Sequence, residues 1–160
     1  CAAASHEPVI FPTDTIYGIG APLADIEANK RIYAIKGRSL TQPMPVLVGS
    51  FEQMASLAIS TAVYPYTAVL PARPKVDRLY THNGTIAIRL VDGWLGALLE
   101  AIGPVTATSV NRSGEAALLE PEAIEARFAD ECRYMLWGKA GNKASKIVDH
   151  TGMTARVIRE

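Results

Sequence analysis

Few cysteines, no surplus of charge and no long apolar run set the first bounds on this sequence. Cys1 and Cys132 are the only thiols among 160 residues, too few for a disulfide scaffold, and Cys1 sits on a terminus. Sixteen Lys plus Arg cancel sixteen Asp plus Glu, so the net charge is +0. That argues against a surface built as a whole to wrap a polyanion, but it leaves room for a local basic pocket. No apolar run approaches the roughly 20 residues that cross a bilayer. The stretch from Cys1 to Glu7 has neither the basic start nor the apolar core of a signal peptide, so a cytoplasmic protein without membrane contact is expected. A start at Cys rather than Met suggests a chain a little shorter than the natural one. The common catalytic signatures are missing too. There is no G-x-x-x-x-G-K-[ST] phosphate loop, and Gly18-x-Gly20 lacks the third glycine of a dinucleotide fingerprint. His6, His82 and His150 have no neighbours at metal-ligand spacing, so no metal site is expected. No Ser-His-Asp or Cys-His pair can be assembled.

What is present is a chain that is 49% apolar, enough for one core, and without linker or repeat. It reads as one domain over 1–160. Val9-Ile10-Phe11 is a short strand stopped by Pro12. Asp25 caps a helix over 26–36 with Ala28, Ile32 and Ile35 on one face. Pro45 to Val48 is a buried strand. Ser50 and Gln53 have the spacing of a capping box before a helix with Met54 and Leu57 inward. Tyr66 to Leu70 is strand-like. Thr85 to Leu90 alternates, with Ile86, Ile88 and Leu90 on one side and Thr85, Ala87 and Arg89 on the other. Asp92 caps a helix whose Leu95, Leu98, Leu99 and Ile102 form one apolar stripe. Val105 to Ser109 is a strand, Pro121 begins a helix through Phe128, and Arg133–Trp137, Lys146–Asp149 and Ala155–Arg159 are short closing strands. The interleaving predicts an α/β class with one mixed sheet.

Polar clusters stand at the strand ends, where ligand sites of α/β proteins form. Pro12 to Gly18 places Thr13, Asp14, Thr15 and Tyr17 after a buried strand. No acid lies between Glu27 and Glu52, yet Lys30, Arg31, Lys36 and Arg38 do. Lys30 and Arg31 read as solvent-facing. Lys36 and Arg38 flank Gly37 at a helix end, where they either complement the helix dipole or clamp a phosphate chain. Arg89 shares its strand face with small residues, so it meets water, a partner or a ligand. Thr106 to Gly114 crowds hydroxyl and amide donors around a turn suited to a phosphate or carboxylate. Ser145 heads a late strand. Together these describe a cationic, hydroxyl-rich site with no nucleophile and no metal cage.

In order and spacing, these clusters resemble the YrdC family of L-threonylcarbamoyladenylate synthases. Pro12-Thr13-Asp14-Thr15-Ile16-Tyr17-Gly18-Ile19-Gly20 is similar to P-T-[DE]-T-x-Y-G-[LI]-G. Lys36-x-Arg38 with Ser109-x-Asn111 resembles the Lys/Arg/Ser/Asn tetrad of the synthase branch. Thr108 to Gly114 resembles T-S-A-N-x-S-G, and Ser145 to Asp149 resembles P-S-T-[IV]-V-D, with Thr151-Gly152 and Val157-Ile158-Arg159 following as its closing strand. The likeness covers essentially the whole chain.

The resemblance implies a single YrdC-like α/β domain, a twisted mixed β-sheet with flanking helices and a concave, positively charged groove. It implies a nucleotidyltransferase that makes threonylcarbamoyl-AMP and pyrophosphate from L-threonine, bicarbonate and ATP. The product would go to a threonylcarbamoyl-transferase complex that modifies ANN-decoding tRNAs. Lys36, Arg38, Ser109 and Asn111 would carry the catalysis by positioning and charge neutralisation. Thr15, Tyr17, Arg89 and Ser145 would contact threonine, with Arg89 on its carboxylate. Arg38, Gln42, Thr85, Ser109 and Arg159 would hold ATP, and Mg2+ would ride on its phosphates. Double-stranded RNA binding and a tRNA contact come with the family.

The departures are specific. Leu47 stands where some members carry a His. The family's W-P-G-P-[LM]-T is shortened by two residues at Val63 to Thr67, and Ala144 replaces the Pro before Ser145. The further C-terminal domain of longer synthases is absent from the sequence. Two other readings compete: a paralogue in the same fold acting on another carbamoyl or acyl-adenylate substrate, and a non-catalytic RNA-binding module. The complete tetrad argues against the first, and the zero net charge with the Thr15–Tyr17 motif against the second.

Overall fold

The computed structural model describes residues 6–62 and 64–160, so Cys1 and Val63 lie outside the described residues. Among these, the elements run β1 (Val9–Phe11), β2 (Gly18–Gly20), α1 (Ile26–Lys36), β3 (Val46–Val48), α2 (Phe51–Leu57), β4 (Thr67–Pro71), β5 (Thr85–Leu90) and α3 (Gly93–Ile102). They continue with β6 (Val105–Thr106), β7 (Thr108–Ser109), α4 (Pro121–Phe128), β8 (Tyr134–Met135), β9 (Ile147–Asp149) and β10 (Arg156–Arg159). The α/β class is as expected, but the strands sort into two mixed sheets rather than one, ordered β7-β2-β1-β8 and β10-β9-β4-β5-β3-β6. The difference arises at Val105 to Ser109, which reads as one strand. Ala107 interrupts it, leaving β6 in the larger sheet and β7 in the smaller. β2 falls inside what reads as a polar turn. Gly-Ile-Gly carries no period-two signal, and pairing with both β1 and β7 is what makes it a strand.

The chain divides into two compact units, Cys1–Leu40 with Thr106–Ala144, and Thr41–Val105 with Ser145–Glu160. In the first, β1 runs antiparallel to β2 and parallel to β8. Ile10, Ile19, Ile32, Ile124 and Phe128 are fully buried there, each contributing roughly 1.5–3 kcal/mol. The Asp25 carboxylate starts α1 by accepting from the Ala28 amide at 3.0 Å. The helix buries Ala28, Ile32 and Ile35 as its spacing predicts, and also Asn29, Tyr33 and Lys36. Lys30 and Arg31 face solvent, paired with Glu27 at 2.9 Å and Glu7 at 2.6 Å.

In the second unit β5 lies antiparallel to β4 and parallel to β3, while β4 runs parallel to β9. Ile86 and Ile88 point into the core. Several local expectations are corrected. Ser50 accepts from the Gln53 amide at 3.3 Å, but the Gln53 side chain turns to the Gly49 amide at 2.8 Å, not to Ser50, and donates to Leu99 O at 2.6 Å. Asp92 precedes α3 without a side-chain cap bond, and the buried face is Leu95, Gly96 and Leu99; Leu98 and Ile102 are exposed. A backbone approach sets that face. A β-carbon on Gly49 would lie 2.2 Å from Gly96 O, so α3 meets the chain after β3 along its glycine, and turning Leu98 inward would break that contact. Ser145 does not head a strand either, since β9 begins at Ile147. Among the described residues no helix is long and apolar enough to cross a membrane.

Candidate functional site

The site in the first unit is built at the C-terminus of α1. A helix ends with four carbonyls that have no partner inside it, and here all four are satisfied. Tyr33 O accepts from the Arg38 amide at 2.9 Å and Ala34 O from the Gly37 amide at 3.1 Å. This is a Schellman closure, which places Gly37 in the left-handed region at φ 61°. Ile35 O accepts from Arg112 Nη1, and Lys36 O accepts from the Ser113 amide at 2.7 Å. The last two partners come from the turn after β7.

That turn encloses the Lys36 side chain, which is 2% exposed. Its ammonium donates to Ser109 O, to Asn111 O at 2.8 Å and to Asn111 Oδ1 at 3.2 Å. Ser109 Oγ donates to Asn111 Oδ1 at 2.6 Å. Asn111 Nδ2 donates to Arg112 O and Glu115 O, each at 2.8 Å. The structure therefore brings together Lys36, Ser109 and Asn111, three of the four tetrad residues predicted from the sequence. Lys36 is the basic residue of the last turn of α1, as the dipole reading requires, and its ammonium also reaches the 109–111 turn. Burial, and then the charge of Arg38, pull the Lys36 pKa from 10.5 to about 8. These three partners are all neutral oxygens, so the cage holds a desolvated cation suited to an incoming anion. Arg38, the fourth residue, follows the Gly37 cap, where burial lowers its guanidinium below the ordinary value.

The Pro12–Gly18 motif folds on Thr13, a residue the sequence reading gave no role. Thr13 Oγ1 donates to Ile16 O at 2.6 Å and accepts from the Thr15 and Ile16 amides at 3.2 and 3.3 Å. Thr15 Oγ1 lies 2.9 Å from it. Tyr17 is buried; its hydroxyl donates to Gly138 O at 2.5 Å and accepts from the Gly138 amide at 3.2 Å. Its ring meets Trp137 edge-on at 5.8 Å. The phenol proton is thus committed within the protein.

The second unit carries the other predicted residues. Arg89 is 9% exposed, which removes the reading of a solvated outer face. The Thr85 hydroxyl donates to His82 O at 2.7 Å. Ser145 Oγ accepts from the Thr67 amide and from Thr67 Oγ1, each at 3.1 Å, and donates to Lys146 O at 3.0 Å. Arg159 donates through Nε and Nη2 to Ser145 O at 3.1 and 2.6 Å. Thr67 was not singled out from the sequence; the signal for it was the closing Thr of the W-P-G-P-[LM]-T pattern. Gln42 lies exposed between α1 and β3. His150 stacks on Tyr64 at 4.3 Å and meets Tyr66 Oη at 3.0 Å. Among the described residues no group of three His, Cys, Asp or Glu could hold a metal.

The Sua5/YciO/YrdC family model, described as "Telomere recombination", matches residues 2–160. A Mycobacterium tuberculosis protein is 32% identical over 94% of this chain and 76% of its own length. The threonylcarbamoyl-AMP synthase of Vibrio campbellii is 25% identical over 99% of this chain and 95% of its own. The crystal structure of Pyrococcus abyssi Sua5 complexed with L-threonine matches with a TM-score of 0.84 and 28% identity, over 96% of this chain. The chain spans 50% of the length of that structure.

Proposed function

The chain belongs to the Sua5/YciO/YrdC family, and on that premise we propose that it is an L-threonylcarbamoyladenylate synthase. It would be a nucleotidyltransferase converting L-threonine, bicarbonate and ATP into threonylcarbamoyl-AMP and pyrophosphate. The product would supply a transferase complex that modifies tRNA, and a direct tRNA contact belongs to the same proposal. The observation that carries the reading is Lys36: buried, and caged by the neutral oxygens of Ser109 and Asn111.

The chemistry fits such a cage. Threonine's amine bonds to the bicarbonate carbon with loss of water to give a carbamate, and one carbamate oxygen bonds to the α-phosphorus as the bond from that phosphorus to the pyrophosphate oxygen breaks. Two anions must meet, so fixed cations and hydrogen-bond donors do most of the work. We assign Lys36, Arg38, Ser109 and Asn111 to the triphosphate. Gln42, Thr85 and Arg159 are assigned to the nucleotide, and Thr15, Tyr17, Arg89 and Ser145 to threonine. Tyr17 would contribute its ring, because its proton is held by Gly138. Mg2+ would arrive with ATP and take its ligands from the phosphates, since no protein carboxylate cluster is available among the described residues.

The test is pyrophosphate release by the purified protein with ATP, bicarbonate and single amino acids. Threonine-specific, bicarbonate-dependent release is expected. Release with another substrate would identify the paralogue. No release, with tRNA binding that weakens in salt, would identify a binding module.

A further inference from the structure

Arg112 occupies the unspecified position of the T-S-A-N-x-S-G pattern, so the resemblance assigns it no role. Its surroundings are nevertheless built. Nη1 donates to Ile35 O, the carbonyl of the residue before Lys36, and to Glu131 Oε2 at 3.1 Å; Nη2 donates to Glu131 Oε1. The guanidinium lies 5.4 Å over the centre of the Phe128 ring. Phe128 is itself 1% exposed, and its carbonyl accepts from the Glu131 amide at 3.0 Å. The end of α4 thus presents a fixed carboxylate and a fixed ring to one guanidinium. The backbone of the same residue faces the site, because Arg112 O accepts from Asn111 Nδ2 at 2.8 Å. The next amide, Ser113, donates to Lys36 O at 2.7 Å.

We propose that Arg112 is a positioning residue that locks the end of α1 to the 109–115 turn, holding Lys36 and Asn111 at the separation the anion site requires. Its guanidinium bonds Ile35 O and the Glu131 carboxylate, not Lys36 Nζ. It acts through Ile35 O on one side and the Asn111 amide on the other, with Glu131 and Phe128 as its anchor. The planar fork is essential: one guanidinium grips a helix carbonyl and a carboxylate together, and a lysine ammonium cannot match that geometry while spanning both. The inference rests on the nucleotide reading above for its effect on ATP, but not for its effect on Lys36.

The test uses the full chain carrying Arg112→Gln, Arg112→Lys or Glu131→Gln, with thermal melting to show that each variant is folded. Two readouts are taken. One is the KM for ATP against that for threonine in pyrophosphate release. The other is the titration of the Lys36 ammonium by nitrogen-15 NMR, its signal identified by its loss in Lys36→Met. Arg112→Gln and Arg112→Lys are expected to raise the ATP KM about 10- to 100-fold, as loss of an outer supporting partner does. The threonine KM should stay within about twofold, and the Lys36 titration should move up from about 8 toward 10.5 as water enters the cage. Glu131→Gln should fall between wild type and Arg112→Gln. Folded Arg112 variants with an unmoved Lys36 titration would overturn the assignment of Arg112. A moved titration with an unchanged ATP KM, or a wild type without ATP turnover, would instead overturn the nucleotide reading.

Discussion

Replacing Lys36 with Met should change how stability depends on pH more than it changes stability itself. In the folded protein burial holds the ammonium pKa near 8 against 10.5 for a free lysine, so the unfolded chain binds the extra proton between those values. Stability therefore rises with pH across that window, and the penalty is fully present below about pH 8. At about 1.4 kcal/mol per pH unit the penalty is about 3 kcal/mol at neutral pH. Raising the pH from 7 to 9 should recover about 1.3 kcal/mol of it. Met removes the buried charge but leaves Ser109 O and Asn111 O without their donor, at about 1–3 kcal/mol each. The two effects oppose, so the net change at pH 7 is small. Urea unfolding of both proteins at pH 7 and 9 isolates the titrating part, since every other group is common to both. Wild type should gain about 1.3 kcal/mol more than Lys36→Met over that interval. Equal gains would refute the desolvated cage, and with it the reason for placing an anion there.

Other outcomes follow from the same geometry. Arg38→Ala and Arg89→Ala should each lower pyrophosphate release at least about 100-fold, the scale of one lost charge contact in a reacting site; near-normal rates would remove them from the site. Tyr17→Phe, which leaves Gly138 O without its donor, should destabilise by about 1–2 kcal/mol in chemical denaturation while leaving the threonine KM within about twofold. Asp25→Ala should cost about 1 kcal/mol through the lost α1 cap. Hydrogen bonds from the Ala28 amide lower the Asp25 pKa below 3.8, so that contribution is present above the unfolded value and lost as pH falls through the folded one. The variant should accordingly show a shallower acid limb in unfolding followed from pH 5 to 2.

Much of the site was legible because its local chemistry is sequential. Asp25 as cap, Gly37 as helix terminator and the run Ser109-x-Asn111 each carry a meaning within a few residues. The α1 face was equally readable, since Ala28, Ile32 and Ile35 are set by helical period alone. The stripe of α3 was not. Leu98 and Ile102 have the right spacing, but the helix rolled onto Gly96, because it packs directly against Gly49 after β3 and a backbone contact excludes a larger side chain. The split of Val105 to Ser109 was equally hidden, since which sheet a strand joins depends on partners far along the chain.

The amino-acid order alone determined the α/β class, the polar motifs and which residue types an anion-handling site could use, because these depend on composition and on spacing within a turn or two. Tertiary structure decided what those residues became. It committed the Tyr17 proton to Gly138, buried Arg89 on a strand face of small residues, and used Arg112 as a brace. Above all it carried Lys36 out of water and closed Ser109 and Asn111 around it. No local signal could announce that step, because desolvation is a property of what surrounds a charge, and its surroundings here lie 73 to 75 positions away in the chain.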